Sequence, residues 1–311
     1  MRAFLMAAAA ALVMTTACET RPDPLPESSA APAPQTVPDA PWREVADEDL
    51  VILQTLTGDV VIELAADAAP AHAAQFREAI RANLYNDEFF YRVIDGHVAQ
   101  AGLEFESRLN DWTELPLEAE RPIDAHDFAP LGNPDLFAEI AGHRDGFAAG
   151  REDGQEWLLH CPGAVGMARD TPPDSGATEF YIAIGHRRYL DRNYTLFGRV
   201  IAGLEHINRL DRVDPTSEDA LAAFEDPGTS EQAFAERAER LSANRIVSIG
   251  LVADMPAELR PRWEVMATPG AEWETLKTSK RDYSAIGAIV VTPPKRLDIC
   301  TLPVPARPIR D

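Results

Sequence analysis

Hydrophobic and polar positions alternate along this chain in short runs. Leu-Val-Ile-Leu-Gln-Thr-Leu (50–56) and Val-Val-Ile-Glu-Leu (60–64) flank Thr57-Gly58-Asp59. Two β-branched runs around a glycine turn predict a hairpin. Pro70 opens the next segment, where its missing N–H costs nothing at a helix start, and Phe76, Ile80 and Leu84 follow at four-residue spacing. That stripe predicts a helix with one buried face. Residues 88–101 read as strand, with an aromatic start at Phe89-Phe90-Tyr91. From 103 to about 160 the pattern gives way to Pro, Gly and Asp. The stretch is too long for a plain loop and predicts an insertion with structure of its own. Strand patterns return at 163–169, 178–185 and 194–201, helical ones at 203–213 and 230–242, and a last strand at 245–253. Residues 255–311 read as an appendage. Many short strands, few helices and glycine turns predict a mainly β protein built on a closed antiparallel barrel.

The two ends of this region differ in kind. Arg2 is the only charge before Cys18, and the intervening segment, beginning Phe4-Leu5-Met6, is almost wholly apolar. A basic start and an apolar core of this length read as a secretory signal, too short for a stable membrane span. It ends Thr15-Thr16-Ala17-Cys18. Small residues before a cysteine resemble the bacterial lipobox, in which the cysteine is acylated, although Thr15 stands where that pattern prefers Leu. Glu19 is not the aspartate that resembles an inner-membrane retention signal, so the expectation leans to the outer membrane. Residues 19–47 are rich in Pro, Ala, Ser and acid, and read as a disordered tether. The expected location is the periplasm or cell envelope, with membrane contact only through the lipid on Cys18.

Charge and cysteine usage narrow the chemistry. A formal net charge of −22 argues against nucleic acid as a partner, since no basic stripe could collect phosphates against that field. With Cys18 lipidated, Cys161 and Cys300 remain as an even pair in an oxidising compartment, which favours a disulfide. A metal site using His160 and Cys161 is the sharper alternative, but adjacent ligands without a second spaced pair make a poor zinc signature. Two buried, inert thiols are the plain one.

Three motifs in order carry a family resemblance. Phe89-Phe90-Tyr91-Arg92-Val93-Ile94-Asp95-Gly96-His97-Val98-Ala99-Gln100 resembles the signature of cyclophilin-type peptidyl-prolyl cis/trans isomerases. Gly166-Met167-Ala168-Arg169 and Ser175-Gly176-Ala177-Thr178-Glu179-Phe180-Tyr181-Ile182 resemble that family's next motif. Tyr189-Leu190-Asp191-Arg192-Asn193-Tyr194-Thr195-Leu196-Phe197-Gly198-Arg199-Val200 resembles its third. The likeness spans about 48–254, with the insertion and the tail around Asp298–Pro305 similar to an exported bacterial branch. It implies an eight-stranded antiparallel barrel capped by two helices. It implies Arg92 as the catalytic arginine, with Phe180, Leu190 and Val98 walling the pocket for the substrate proline ring. Gln100 and the backbone at Ala168 and Arg169 would bond the peptide, with His97, Tyr181 and Tyr194 lining the same site. Glu179 replaces the family's usual glutamine and Tyr91 its histidine. An acid there would either hold the Arg92 guanidinium by a charge-assisted pair or compete with substrate for its donors. Without these flanking motifs, a lone arginine in a strand would read as a surface ion-pair member.

The implied reaction suits these residue types. Rotation about an X–Pro bond breaks amide resonance, a barrier of ~18–20 kcal/mol. A fixed guanidinium that bonds the twisted amide more strongly than the planar one lowers it, and an apolar pocket excludes water. No nucleophile, metal or cofactor is required. The expected substrates are proline-containing polypeptides in exported proteins. A proline-binding or chaperone-like module with weak turnover is the runner-up, and a docking scaffold built from the insertion and tail comes third. Oligomeric state is not legible. At the N-terminus the expectation is specific: intact mass of protein made in a native-like host should show a mature chain starting at acylated Cys18. A start elsewhere, or no lipid mass, refutes it.

Overall fold

The computed structural model describes residues 41–103, 112–214, 228, 230–284 and 286–310, so Cys18, the signal-like segment and most of the tether lie outside the described residues. The described strands are β1 (Trp42–Glu44), β2 (Leu50–Thr55), β3 (Gly58–Leu64), β4 (Phe90–Val93), β5 (Val98–Ala101), β6 (Arg121–Pro122), β7 (Ala129–Pro130) and β8 (Ile140–Arg144). They continue with β9 (Phe147–Glu152), β10 (Gln155–Leu158), β11 (Ala164–Met167), β12 (Phe180–Ala183), β13 (Leu196–Ala202), β14 (Ile246–Leu251), β15 (Trp263–Met266) and β16 (Ala306–Pro308). The described α-helices are α1 (Pro70–Arg81), α2 (Leu204–Asn208), α3 (Glu231–Arg240) and α4 (Ala271–Lys280). None is long and apolar enough to cross a membrane.

Eight strands form one antiparallel sheet in the order β14-β2-β3-β13-β11-β12-β5-β4. The two edges meet where Phe89 bridges Arg245, with Ile246 N–H donating to the Glu88 carbonyl at 2.7 Å. Closure satisfies edge groups that would otherwise pair with another chain. The expected eight-stranded barrel is therefore the fold. Pro70 is the first residue of α1, and Phe76, Ala79 and Ile80 of that helix enter the barrel core. Ile207 of α2 and Leu210 beyond it join the same core. The helical stretch expected at 203–213 is shorter than its pattern, because Leu210 is carried inward by a turn after Asn208.

Three strands beyond the barrel form a second sheet in the order β1-β15-β16. The expected tether to residue 47 therefore ends sooner: Trp42–Glu44 pairs in register with Glu264–Met266. The acidic, proline-rich composition hid three residues that acquire order only from a partner strand more than 200 positions away. Residues 121–158 carry their own five-stranded sheet, β6-β10-β9-β8-β7. Trp157 and Leu159 there, Trp273 of α4, and Ile299 and Leu302 near the C-terminus bury together against Leu50 and Val61 on the outer side of the barrel. Glu63, only 3 % exposed, accepts from Arg43 of β1 at 2.5 Å and from Arg199 of β13 at 2.7 and 2.9 Å. Two guanidiniums around one acid let that charge stay buried.

Cys161 and Cys300 are joined by a disulfide, with Cα atoms 4.8 Å apart across 139 positions. In the chain-entropy account, a loop of that length restricts the unfolded chain by about 5 kcal/mol before any strain is subtracted. Replacing both cysteines by alanine should lower the melting temperature clearly, by an amount matching a loss of ~2–5 kcal/mol in chemical unfolding. A variant as stable as the native protein would show that the surrounding apolar packing alone holds the C-terminal segment.

Candidate active site

The outer face of the barrel carries the site because of the strand phase. Along β12, Phe180 and Ile182 point into the core while Tyr181 and Ala183 point out. Along β5, Ala99 and Ala101 point in, and Val98 and Gln100 out. The register aligns Arg92 with Gln100, and Gln100 with Tyr181. Between β4 and β5 the register shifts at Phe90/Arg92, so Tyr91 is the extra residue of a bulge. That bulge lets Phe90 and Val93 both reach the core while Arg92 faces the groove.

The groove holds about 780 Å³ of empty space and is lined by Arg92, His97, Val98, Gln100, Ala168, Arg169, Tyr181, Tyr189, Leu190 and Tyr194. A second hollow continues from it past Ala168 and Arg169 to Trp112, Glu114, Asp170 and Glu179. The two together form a track suited to an extended peptide. Most of the residues expected at the site converge here. Phe180 does not. It is fully buried, with ring centroids 5.3 Å from Phe76 and 5.2 Å from Tyr85, so it belongs to the core and its neighbour Tyr181 forms the groove wall. The period of two along a strand dictates that exchange. Tyr189, 61 % exposed, was missed as a lining residue, although it opens the third motif.

Glu179 also departs from expectation. Its Oε2 accepts from the Tyr91 hydroxyl at 2.7 Å and from Gln100 Nε2 at 2.6 Å, and no bond to Arg92 is found among the described residues. Gln100 Nε2 also donates to the Tyr91 hydroxyl at 2.7 Å, and its Oε1 accepts from Arg92 Nη1 at 2.9 Å. The amide orientation follows from chemistry. A guanidinium only donates and a carboxylate only accepts, so the amide must turn its oxygen to Arg92 and its nitrogen to Glu179. Glu179 thus acts on Arg92 through Gln100, rather than pairing with it or competing for its donors. Burial pushes its carboxyl above the usual range, partly offset by the Tyr91 and Gln100 hydrogen bonds.

Arg92 and Arg169 are the cationic side chains lining the groove. His97 is held down to about 4, first by burial and then by Arg92 and Arg187, so its ring is uncharged at neutral pH. Arg169 donates to the Asn193 and Asp170 carbonyls and stacks 4.4 Å over the Tyr194 ring, bracing the groove lip. His160 and Cys161 make no metal site: Cys161 is in the disulfide and His160 faces Asp191 and Tyr181.

A closed eight-stranded barrel with an arginine at a groove on its outer face, walled by Val98, Leu190 and the Tyr181 ring, defines the class. Residues 50–225 match the family described as cyclophilin-type peptidyl-prolyl cis-trans isomerase, and the chain belongs to that family. A probable peptidyl-prolyl cis-trans isomerase of Brucella suis is 31 % identical over 166 residues, covering 52 % of this chain and 71 % of the relative. One of Acinetobacter baylyi is 27 % identical, covering 54 % and 74 %. The crystal structure of the cyclophilin AquaCyp293 from Hirschia baltica superposes with a TM-score of 0.67 at 27 % identity, covering 86 % of this chain and 93 % of that one. The chain is a cyclophilin-type peptidyl-prolyl cis/trans isomerase.

Glu179→Leu should lower kcat/KM about threefold to tenfold, since it releases an amide held by one charge-assisted bond. Glu179→Gln should retain most activity, because its oxygen accepts from the same donors. The raised carboxyl binds its proton more tightly folded than unfolded, so its contribution is fullest at low pH and is lost as pH rises through the carboxylate range. Glu179→Gln should therefore gain melting temperature relative to wild type at about pH 7, with the gap closing toward about pH 4. A gap independent of pH, or full activity in Glu179→Leu, contradicts this.

Proposed function

We propose that this isomerase acts on X–Pro bonds of exported polypeptides in the cell envelope, held there by a lipid on Cys18, with Arg92 as the catalytic side chain. The alignment of Arg92, Gln100 and Tyr181 across three strands, beside Val98 and Leu190, carries the reading. The proline ring enters between Val98, Leu190 and the Tyr181 ring, where little water follows. The peptide preceding it runs along Ala168 and Arg169 toward Trp112. Among the described residues, Arg92 makes one side-chain hydrogen bond, to Gln100, and its remaining donors address the groove. As the amide twists, the proline nitrogen regains its lone pair, and a guanidinium fixed by Gln100 bonds that state more strongly than the planar one. The residues at the site supply the donors themselves, and the reaction requires no metal or cofactor.

Arg92→Ala should leave melting and circular dichroism unchanged and reduce kcat/KM about tenfold to a hundredfold on a short X–Pro peptide read by a trans-specific protease. Arg92→Lys should recover only part, since a point charge does not reproduce the planar fork. Wild-type protein that binds such a peptide without accelerating its isomerisation would replace catalysis by a proline-binding module.

A further inference from the structure

Tyr181 brings a hydroxyl to the wall of a pocket that should be apolar. The ring is 4 % exposed and lies over Gly166, where a Cβ would fall 2.4 Å from its Cζ and its Oη. Leu196 and Tyr194 flank it, the latter with ring centroids 6.2 Å away and nearly perpendicular. The phenolic oxygen lies on the ring axis and cannot swing independently of the ring, so a partner that holds it also fixes the ring face at the groove wall. The structure supplies that partner. Tyr181 Oη lies 2.8 Å from Nε2 of His160, which is fully buried beneath the groove. Nδ1 of the same ring lies 3.0 Å from Oδ1 of Asp191, which also accepts from the His160 backbone N–H at 2.9 Å.

The protons follow from the acceptors. Asp191 accepts, so Nδ1 carries a hydrogen; in the neutral ring Nε2 then presents its lone pair, and the Tyr181 hydroxyl donates to it. Burial raises the phenol far above its ordinary range, consistent with a hydroxyl that keeps its proton. Asp191 is held in turn by Arg188, whose Nε donates to Oδ2 at 2.5 Å. Arg188 forks onto both oxygens of Asp135, at 2.9 and 3.1 Å, in the segment between β7 and β8. The line Asp135–Arg188–Asp191–His160–Tyr181 thus runs from the inserted sheet to the wall of the groove.

We propose that His160 and Asp191 are positioning residues for substrate recognition: they hold the Tyr181 ring by its hydroxyl, so that its face is kept toward the proline. The inference rests on the groove being the proline site. His160 touches no substrate and acts only through Tyr181, which gives it a signature that a general structural role lacks.

A double-mutant cycle tests it. His160→Leu should raise KM for an Ala–Pro peptide about threefold to tenfold with kcat nearly unchanged, as expected for one lost hydrogen bond. In a Tyr181→Phe background, where no hydroxyl is present to be held, the same change should cost less than about twofold. His160→Gln should recover most of the loss, because its side-chain oxygen stands in for Nε2 as acceptor. Equal penalties in both backgrounds, or no recovery with Gln, would reduce His160 to a packing residue and overturn the proposal. Proton NMR supplies a readout independent of turnover: a slowly exchanging Tyr181 hydroxyl resonance in wild type that disappears in His160→Leu. Its absence from wild type also overturns the proposal. If the resonance is present but no X–Pro peptide is turned over, the catalytic reading fails, and the same cycle read by peptide affinity decides the positioning role.

Discussion

The packing of Phe180 inside the barrel sets the phase on which the site depends. Its ring meets Phe76 from α1, Tyr85 and Phe90, so β12 cannot slip by one residue without moving a fully buried aromatic into solvent. With Phe180 inward, Tyr181 must face out, opposite Gln100, and Gln100 must stand beside Arg92. The Tyr85 hydroxyl reinforces this by donating to the Thr178 carbonyl at 2.9 Å, just ahead of the strand. Core packing and site geometry are in this sense one constraint seen from two sides of a sheet.

The segments outside the barrel brace the same face from behind. The inserted sheet and the C-terminal segment share an apolar cluster with β2 and β3, and the Cys161–Cys300 disulfide ties that cluster to the residue after His160. Glu63 performs the polar counterpart, joining β3, β1 and β13 through two arginines. These contacts approach the groove through the loop carrying Arg188 and Asp191. The accessory segments brace the site from beneath, and Trp112 and Glu114 at the start of the insertion also line the far part of the track.

Electrostatically the groove runs against the chain as a whole. The protein carries a formal charge of −22, yet Arg92 and Arg169 line the peptide track and Arg187 acts on His97 beside it. Glu114, Asp170 and Glu179 are acids on the same track, and Glu179 spends its lone pairs on the donors of Tyr91 and Gln100. The Glu179 carboxylate can sit near Arg92 because the Gln100 amide stands between them and transmits orientation rather than neutralisation.

Sequence alone determined the elements that rest on local pattern. The β2–β3 hairpin follows from β-branched runs about a glycine turn, α1 from Pro70 and its apolar stripe, and the family from three ordered motifs. What depended on which way a strand faces was legible only in part: Phe180 and Tyr181 are adjacent, similar and apolar in body, and only the filled barrel decides which is core and which is wall. The role of Glu179 was undecidable from spacing, because it turns on the side-chain amide of a residue 79 positions away. His160 entered the sequence reading only as a weak metal ligand beside Cys161 for the same reason, its partners Tyr181 and Asp191 lying 21 and 31 positions on. Trp42–Glu44 read as tether because its order comes from pairing with β15. Local periodicity encodes elements, since it acts within a few residues. Long-range hydrogen bonds and the direction of a side chain at a closed sheet are properties of the assembled chain, and tertiary structure alone decided them.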